Sequence, residues 1–132
     1  MMAYRWVEHT AELELEIDAR DRESVFADAL RALAELLADD GHGNRVSREV
    51  VIEGGESGVL LVGWLDELVY LAETEDLIPD EVERIELSED GLSASVCCHV
   101  GRPRHLVKAA TYHRLAFKPS DGRFCARVVL DV

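Results

Sequence analysis

Acidic side chains and a histidine stand together near the start of this chain, and another acid stands near its end. Glu8, His9 and Glu12 lie within five residues, and Asp131 is the last residue but one. Carboxylate oxygens suit hard cations such as Ca²⁺, Mg²⁺ and Mn²⁺, whereas sulfur and imidazole suit zinc. If the last strand lies beside the first, Glu12 and Asp131 can face one ion. The alternative is that both are solvated carboxylates and that His9 is a structural histidine.

A second group of polar residues lies in Val107–His113, which contains a lysine, a threonine, a tyrosine and a histidine and is predicted to be a strand. Lys108 can place a positive charge beside the carboxylates, or offer it to a phosphate or to a partner's carboxylate. The alternative for Lys108 is a weak surface ion pair. Regular alternation along a strand predicts Thr111 and His113 on one face and Lys108 and Tyr112 on the other.

Motifs for covalent catalysis and nucleotide binding do not accompany these residues. None of the serines has the G-x-S-x-G context of a nucleophile elbow. The glycine-rich run at 54–58 lacks the lysine of a P-loop, and glycine clusters usually mark turns. The residues by themselves therefore favour a binding or accessory protein over an enzyme.

The three cysteines predict neither a disulfide nor a zinc site. Cys97 and Cys98 are adjacent, Cys125 is distant, and no C-x-x-C spacing occurs. A soft-metal site that combines the adjacent pair with His99 and His105 matches no known spacing. We expect reduced thiols, as in cytosolic proteins.

Composition and charge limit the class of protein and the kind of partner. A chain of 132 residues with 48% hydrophobic residues predicts one globular domain over 1–132. Its net charge of −13 disfavours direct nucleic-acid binding, which needs a cationic surface. The charge favours a basic protein partner or a divalent cation. A highly soluble or halophilic surface is the alternative.

Membrane insertion and secretion are not expected. No apolar run reaches the ~20 residues that span a bilayer, and the start lacks the apolar centre of a signal peptide. We therefore expect a cytoplasmic protein with no membrane partner. An exposed edge strand would allow self-association but nothing requires it, so we expect a monomer or a weak homo-oligomer.

Hydrophobic periodicity predicts an α+β fold, with two helices packed on a mostly antiparallel β-sheet. Alternation of Glu12, Glu14 and Glu16 with apolar residues predicts the first strand. Asp21 is the predicted N-cap of the first helix, and Ser57 is a candidate cap for the second. The predicted helices are Arg22–Ala38 and Val59–Glu73, and the later strands are Glu49–Glu53, Val82–Leu87, Leu92–Val100, His105–Lys118 and Phe124–Val132.

The end of the first predicted helix carries an unfavourable charge pattern. Asp39 and Asp40 follow the helix at the negative end of its dipole, before the stop at Gly41. A cation bound there would relieve the repulsion.

Five separated blocks of this sequence, in the same order, resemble the archease family. The blocks are Glu8-His9-Thr10-Ala11-Glu12, Val25-Phe26, the Leu-x-x-Trp-Leu pattern within Leu61–Leu71, Val107–His113, and Leu130-Asp131-Val132. The resemblance extends over nearly the whole chain and implies a single-domain archease-like sandwich.

The resemblance also implies a function. Archeases are accessory proteins of RtcB-type RNA ligases, whose guanylylation by GTP and repeated turnover they promote in tRNA splicing or RNA repair. By the same resemblance, Glu12, Asp131 and the backbone oxygen of Val132 would hold a divalent cation, most often calcium, with magnesium or manganese as alternatives. Lys108 matches a lysine regarded as functional in the family, and with His9, Thr111 and His113 it completes the candidate cluster.

One departure from the family pattern bears on the metal. The two aspartates usual in the first block are Glu8 and Glu12 here, and glutamate places its carboxylate one methylene farther out. A tight site must then shift or admit water. Two alternative functions remain open: a metal-dependent hydrolase or phosphotransferase that uses Glu12, Asp131, Lys108 and His9, and a chaperone-like acidic binding module.

Overall fold

Two helices and seven strands make up the part of the chain that the computed structural model describes, which is residues 4–39, 41 and 43–132. Neither helix is long and apolar enough to cross a membrane. In chain order the elements are β1 (Tyr4–His9), β2 (Glu12–Ala19), α1 (Arg22–Leu37), β3 (Arg45–Glu53), α2 (Ser57–Glu75), β4 (Leu77–Ser88), β5 (Gly91–Val100), β6 (Ala109–Ser120) and β7 (Arg123–Asp131).

The strands form two sheets rather than one. A four-stranded sheet has the order β1-β2-β7-β6, and a three-stranded sheet has the order β3-β5-β4. Every strand pairing in them is antiparallel. The predicted α+β class is confirmed, and both helices contact both sheets. Alternation shows which face of a strand is buried, but it does not show which strand lies beside it.

The core lies where the helices meet the inner faces of the sheets. Leu15 of β2, Phe26 of α1 and Trp64 of α2 are fully buried. The indole Nε1 of Trp64 donates a hydrogen bond to the Phe26 carbonyl at 3.0 Å, which satisfies the polar atom of the largest core side chain. Because α2 touches both sheets, it is apolar over much of its circumference, as its sequence predicts.

The two helix starts differ in how well they were predicted. Asp21 is the N-cap of α1, and its carboxylate accepts a hydrogen bond from the Ser24 N–H at 2.8 Å, which confirms the prediction. Ser57 is not a cap: it is the first residue of α2, and Glu56 takes the cap position without a side-chain hydrogen bond. The Ser57 hydroxyl instead accepts a hydrogen bond from Arg22 Nη2 at 2.7 Å.

A buried histidine supplies positive charge at the end of α1. His99 Nε2 lies 2.6 Å from Asp39 Oδ1, and His99 Nδ1 lies 2.7 Å from Asp80 Oδ1. Burial of the ring opposes its charging, but the hydrogen bonds to the two carboxylates outweigh it and raise the pKa of His99. When protonated, His99 offsets the charge of Asp39 that the sequence leaves at the end of the helix, and Asp40 lies outside the described residues. Both ring nitrogens are occupied, so His99 is not available to a soft-metal site with the cysteines.

Three strand starts differ from the prediction by four residues or more. β3 begins at Arg45 rather than Glu49, β4 begins at Leu77 rather than Val82, and β6 begins at Ala109 rather than His105. Register shifts in β4 near Pro79 and Val82 interrupt the alternation on which the prediction rested. The cysteines are unpaired, and burial raises the pKa of Cys98 to about 11.

Candidate functional site

The candidate metal ligands meet at one end of the four-stranded sheet. His9 of β1 pairs with Glu12 of β2, Glu12 pairs with Asp131 of β7, and Asp131 pairs with Ala109 of β6. Directly paired residues of antiparallel strands point to the same face of the sheet, about 5 Å apart at Cβ. The structure therefore places the Glu12 and Asp131 side chains next to each other on the outer face.

This pair of carboxylates is an unfavourable arrangement unless something neutralises it. Like charges directly opposite each other on neighbouring strands are destabilising. Glu12 and Asp131 are both partly exposed, so water and a mobile cation can reach them. Two adjacent carboxylates are also a donor set that a hard divalent cation prefers.

The last residues of the chain are held against the site by backbone hydrogen bonds. The Val132 N–H donates to the Ala11 carbonyl at 3.2 Å, and the Lys108 N–H donates to the Asp131 carbonyl at 2.9 Å. Ala11 has a φ of 61°, in the left-handed region that a tight turn between β1 and β2 requires. Val132 is therefore fixed beside Glu12. The backbone of Lys108 is held at the border of the site, and Lys108 is exposed.

A second polar group, which the sequence did not predict, lies beside the carboxylates. Glu14 is only 6% exposed although it belongs to the outer face of β2. The guanidinium of Arg114 donates to the Glu14 carboxylate, and Arg114 Nη2 lies 3.3 Å from His9 Nε2. Because a guanidinium can only donate, this contact makes His9 Nε2 an acceptor. Arg114 thus contacts both His9 and Glu14 and holds them together.

Arg114 reaches Glu14 because β6 is irregular at this point. Four residues of β6, 112–115, stand opposite Val128 of β7, between the pairs at Thr111 and Ala116. Arg114 itself has a φ of 52°, which is strained for a side chain other than glycine. Arg127 Nε supports the bulge by donating to the Arg114 carbonyl at 2.8 Å.

The bulge in β6 gives Thr111 and His113 different positions from those that a regular strand would give them. Thr111 Oγ1 donates to the Val129 carbonyl at 3.0 Å and accepts from the His113 N–H at 3.3 Å, so the threonine shapes the bulge. His113 is exposed, as is Tyr112. The predicted division of Lys108, Tyr112, Thr111 and His113 between two faces is wrong, because Lys108 precedes the strand and the bulge interrupts the alternation that the prediction assumed.

The side chains present only part of a metal site. Within residues 4–39, 41 and 43–132, no group of three or more histidine, cysteine, aspartate or glutamate side chains is placed to hold a metal. Ca²⁺ takes about six to eight oxygen ligands. Glu12 and Asp131 fit such an ion chemically, but a carbonyl such as that of Val132, and water, would have to supply the remaining oxygens.

A cleft adjoins the carboxylates. It has a volume of about 590 Å³. Glu12 and Val132 lie in its wall, so the candidate metal ligands and the cleft share one border. The remaining lining is Trp6, Glu8, His9, Leu13, Leu36, His105 and Leu106.

Sequence comparison relates the chain to archeases over its whole length. The model of the Archease protein family (MTH1598/TM1083) matches residues 4–132. Protein archease of Archaeoglobus fulgidus is 33% identical over 139 aligned residues, which cover 99% of this chain and 100% of that protein. Protein archease of Methanopyrus kandleri is 31% identical over 141 residues, with 99% and 100% covered.

Solved structures agree with the fold described above. The solution structure of protein 1598 of Methanobacterium thermoautotrophicum superposes with a TM-score of 0.77 at 28% identity and covers all of both chains. The crystal structure of a Thermotoga maritima protein described as an archease and possible chaperone has a TM-score of 0.73 at 21% identity, with 96% of this chain and 94% of that chain covered. Because the family model covers nearly every residue and the curated relatives align end to end, this chain belongs to the archease family.

Proposed function

We propose that this protein is an accessory factor of an RtcB-type RNA ligase, which it helps to become guanylylated by GTP and to turn over repeatedly in tRNA splicing or RNA repair. The observation that carries the proposal is the direct pairing of Glu12 with Asp131, at the end of the sheet to which the family pattern assigns a divalent cation. Family membership supports the accessory role, and no nucleophile motif favours independent catalysis.

The residues divide into ligands, supports and an exposed cation. Glu12 and Asp131, with the backbone oxygen of Val132, would hold the divalent cation, for which calcium, magnesium and manganese are the candidates. Such an ion supplies positive charge for anionic groups of the partner's reaction. Lys108, whose backbone N–H is bonded to the Asp131 carbonyl and whose side chain is exposed, would offer a second positive charge to the partner. Arg114, itself paired with Glu14, contacts His9, which pairs with Glu12 on the neighbouring strand.

The charge of the whole protein supports a protein partner rather than direct RNA binding. At −13, the surface repels phosphates and attracts basic protein surfaces. The glutamate at position 12 is compatible with the role, because Glu12 and Asp131 are partly exposed and water can reach them.

The test is GTP-dependent guanylylation of the purified cognate ligase, with and without substoichiometric amounts of this protein. We expect faster guanylylation and several turnovers per ligase with the wild-type protein. Glu12→Gln and Asp131→Asn should lose the stimulation, whereas Glu16→Gln should keep it, since Glu16 lies on the same face of β2 but pairs with Arg5. Full stimulation by both folded ligand variants would remove the metal-site mechanism, and none by the wild-type protein would remove the proposed role.

A chaperone-like function is the second candidate, favoured by the description of the Thermotoga maritima structure as a possible chaperone. In that case the acidic surface acts as a whole. Charge reversals far from Glu12 and Asp131 would then impair ligase stimulation more than Glu12→Gln does.

A further inference from the structure

The cleft beside the carboxylates has an unusual combination of walls. Trp6, Leu36 and Leu106 supply apolar surface, and Leu106 is 60% exposed. Glu8 and Glu12 supply negative charge, and neither lysine nor arginine is among the described residues that line the cleft. An open apolar surface with an acidic border is suited to a ligand that is both apolar and positively charged.

Trp6 supplies the aromatic wall of the cleft. Its indole Nε1 is inaccessible to solvent and has no hydrogen-bond partner among the residues that the structure describes. Buried tryptophan N–H groups normally have an acceptor, so this one is a local cost of the fold, and because it is closed to solvent only the ring of Trp6 is offered to a ligand. The face of an indole ring also attracts cations more strongly than other aromatic side chains do.

We propose that this cleft docks a basic peptide segment of the partner protein, in a way that rests on the accessory role proposed above. An arginine or lysine of the segment packs its aliphatic stem between Trp6 and Leu106 and directs its charge to Glu8. Glu12 lies on the border, so a docked segment stands directly beside the candidate metal ligands.

Charge and exposure favour a protein segment over other occupants. The protein has 27 acidic and 14 basic residues, which opposes an anionic ligand such as a nucleotide or RNA in a cleft that already contains two carboxylates. A second copy of this chain would bring the same net charge of −13. A basic segment gains from both the cleft and the long-range field of the molecule.

The experiment is titration calorimetry of the purified cognate ligase with the full-length wild-type protein and with Leu106→Ser, Glu8→Gln and Trp6→Phe. EDTA is present so that the candidate metal site does not contribute. Val51→Ser and Glu49→Gln are the matched controls, because Val51 is 69% exposed on β3 and Glu49 is exposed on the same strand, in the other sheet. We expect about tenfold weaker binding for Leu106→Ser, the size of effect seen for central interface residues, and unchanged binding for both controls.

Glu8→Gln tests the contact between the carboxylate and the basic side chain, and Trp6→Phe tests the contact with the indole ring. Glu8→Gln should weaken binding and make the affinity less dependent on salt, as expected when an attractive charge is removed. Trp6→Phe keeps an aromatic ring but replaces the indole, which attracts cations more strongly, and should weaken binding severalfold. Tryptophan fluorescence of the wild-type protein should change on binding and lose that change in Trp6→Phe, since Trp64 is fully buried.

Three results would overturn the proposal. If the wild-type protein binds the ligase and the three cleft variants bind equally well, the ligase docks elsewhere while the accessory role stands. If the wild-type protein neither binds nor stimulates the ligase, the accessory role and the docking site fall together. If sedimentation shows a dimer that Leu106→Ser dissociates, the occupant is a second copy. Circular dichroism melts establish that each variant is folded.

Discussion

Arg114 in the β6 bulge forms an ion pair with the buried Glu14 of β2, although β7 lies between the two strands. The arginine side chain therefore spans one strand on the outer face of the sheet. The same guanidinium contacts His9, so this single residue connects β6, β2 and β1 next to the candidate metal ligands. The strained backbone at Arg114, with φ at 52°, is the conformation that makes this reach possible.

Two replacements of Arg114 should separate the stabilising free energy of its ion pair from the destabilising free energy of its strained backbone. Arg114→Ala leaves the Glu14 carboxylate buried without its partner and should lower the free energy of unfolding by about 1–3 kcal/mol, since Arg114 is itself partly exposed. Arg114→Gly loses the same pair but relieves the positive φ, so it should be more stable than Arg114→Ala by roughly 1 kcal/mol. Urea unfolding measures both values.

A matched variant controls for general effects on the outer face. Arg5→Ala removes the guanidinium that pairs with Glu16, which is a more exposed carboxylate, and should cost under about 1 kcal/mol. Equal stability of Arg114→Ala and the wild-type protein would show that Glu14 does not depend on Arg114.

Calcium should stabilise the folded protein through Glu12 and Asp131. A ligand that binds only the folded state at about 100 times its Kd adds roughly 2.7 kcal/mol to the free energy of unfolding. Thermal melts with and without CaCl₂ should show a higher Tm with the ion, and Asp131→Asn should remove the difference. Without calcium, Asp131→Asn should be at least as stable as the wild-type protein, because it removes a like-charge pair.

Glu16→Gln is the control for the calcium effect, because it removes one negative charge from the same face of β2. It should keep the full rise in Tm. A rise that survives in Asp131→Asn would place the ion elsewhere on this acidic protein.

The contacts of His99 with Asp39 and Asp80 should make the stability of the protein depend on pH. Burial of the ring opposes its charging, yet hydrogen bonds to Asp39 and Asp80 raise its pKa in the folded protein above the ordinary value of about 6.5. The stabilising contribution is therefore complete below that ordinary value and is lost as pH rises through the folded pKa. We expect the urea midpoint of the wild-type protein to fall between pH ~6 and pH ~9.

Two histidine variants test the assignment to His99. His99→Gln should lower the free energy of unfolding by about 1–3 kcal/mol at pH ~6 and flatten the pH dependence. His105→Gln, which changes an exposed histidine of the cleft, should keep the wild-type profile. An unchanged profile in His99→Gln would show that other groups cause the pH dependence.

Local patterns in the sequence were sufficient for most of the helices and strands. The alternation from Glu12 to Ile17, the cap at Asp21 and the apolar circumference of α2 each act over a few residues, and each is found in the structure. The resemblance to archeases, rather than a local period, named Glu12, Asp131 and Val132; the structure places them at one end of a sheet, and their role as metal ligands stays a prediction. Short-range preferences and burial explain the correctly predicted elements, because both produce a regular spacing of apolar residues along the chain.

Strand pairing and the bulge were decided only by the tertiary structure. Alternation predicted that Glu14 faces water, but the Arg114 side chain arrives from residues 100 positions later in the chain and buries it. The same holds for His99, whose carboxylate partners come from the end of α1 and from β4. Contacts of this kind depend on strand register and on irregular backbone, and neither can be read from the local spacing of residues. Many distant residues of suitable charge could pair with Glu14 or His99, and only the formed sheets select one of them.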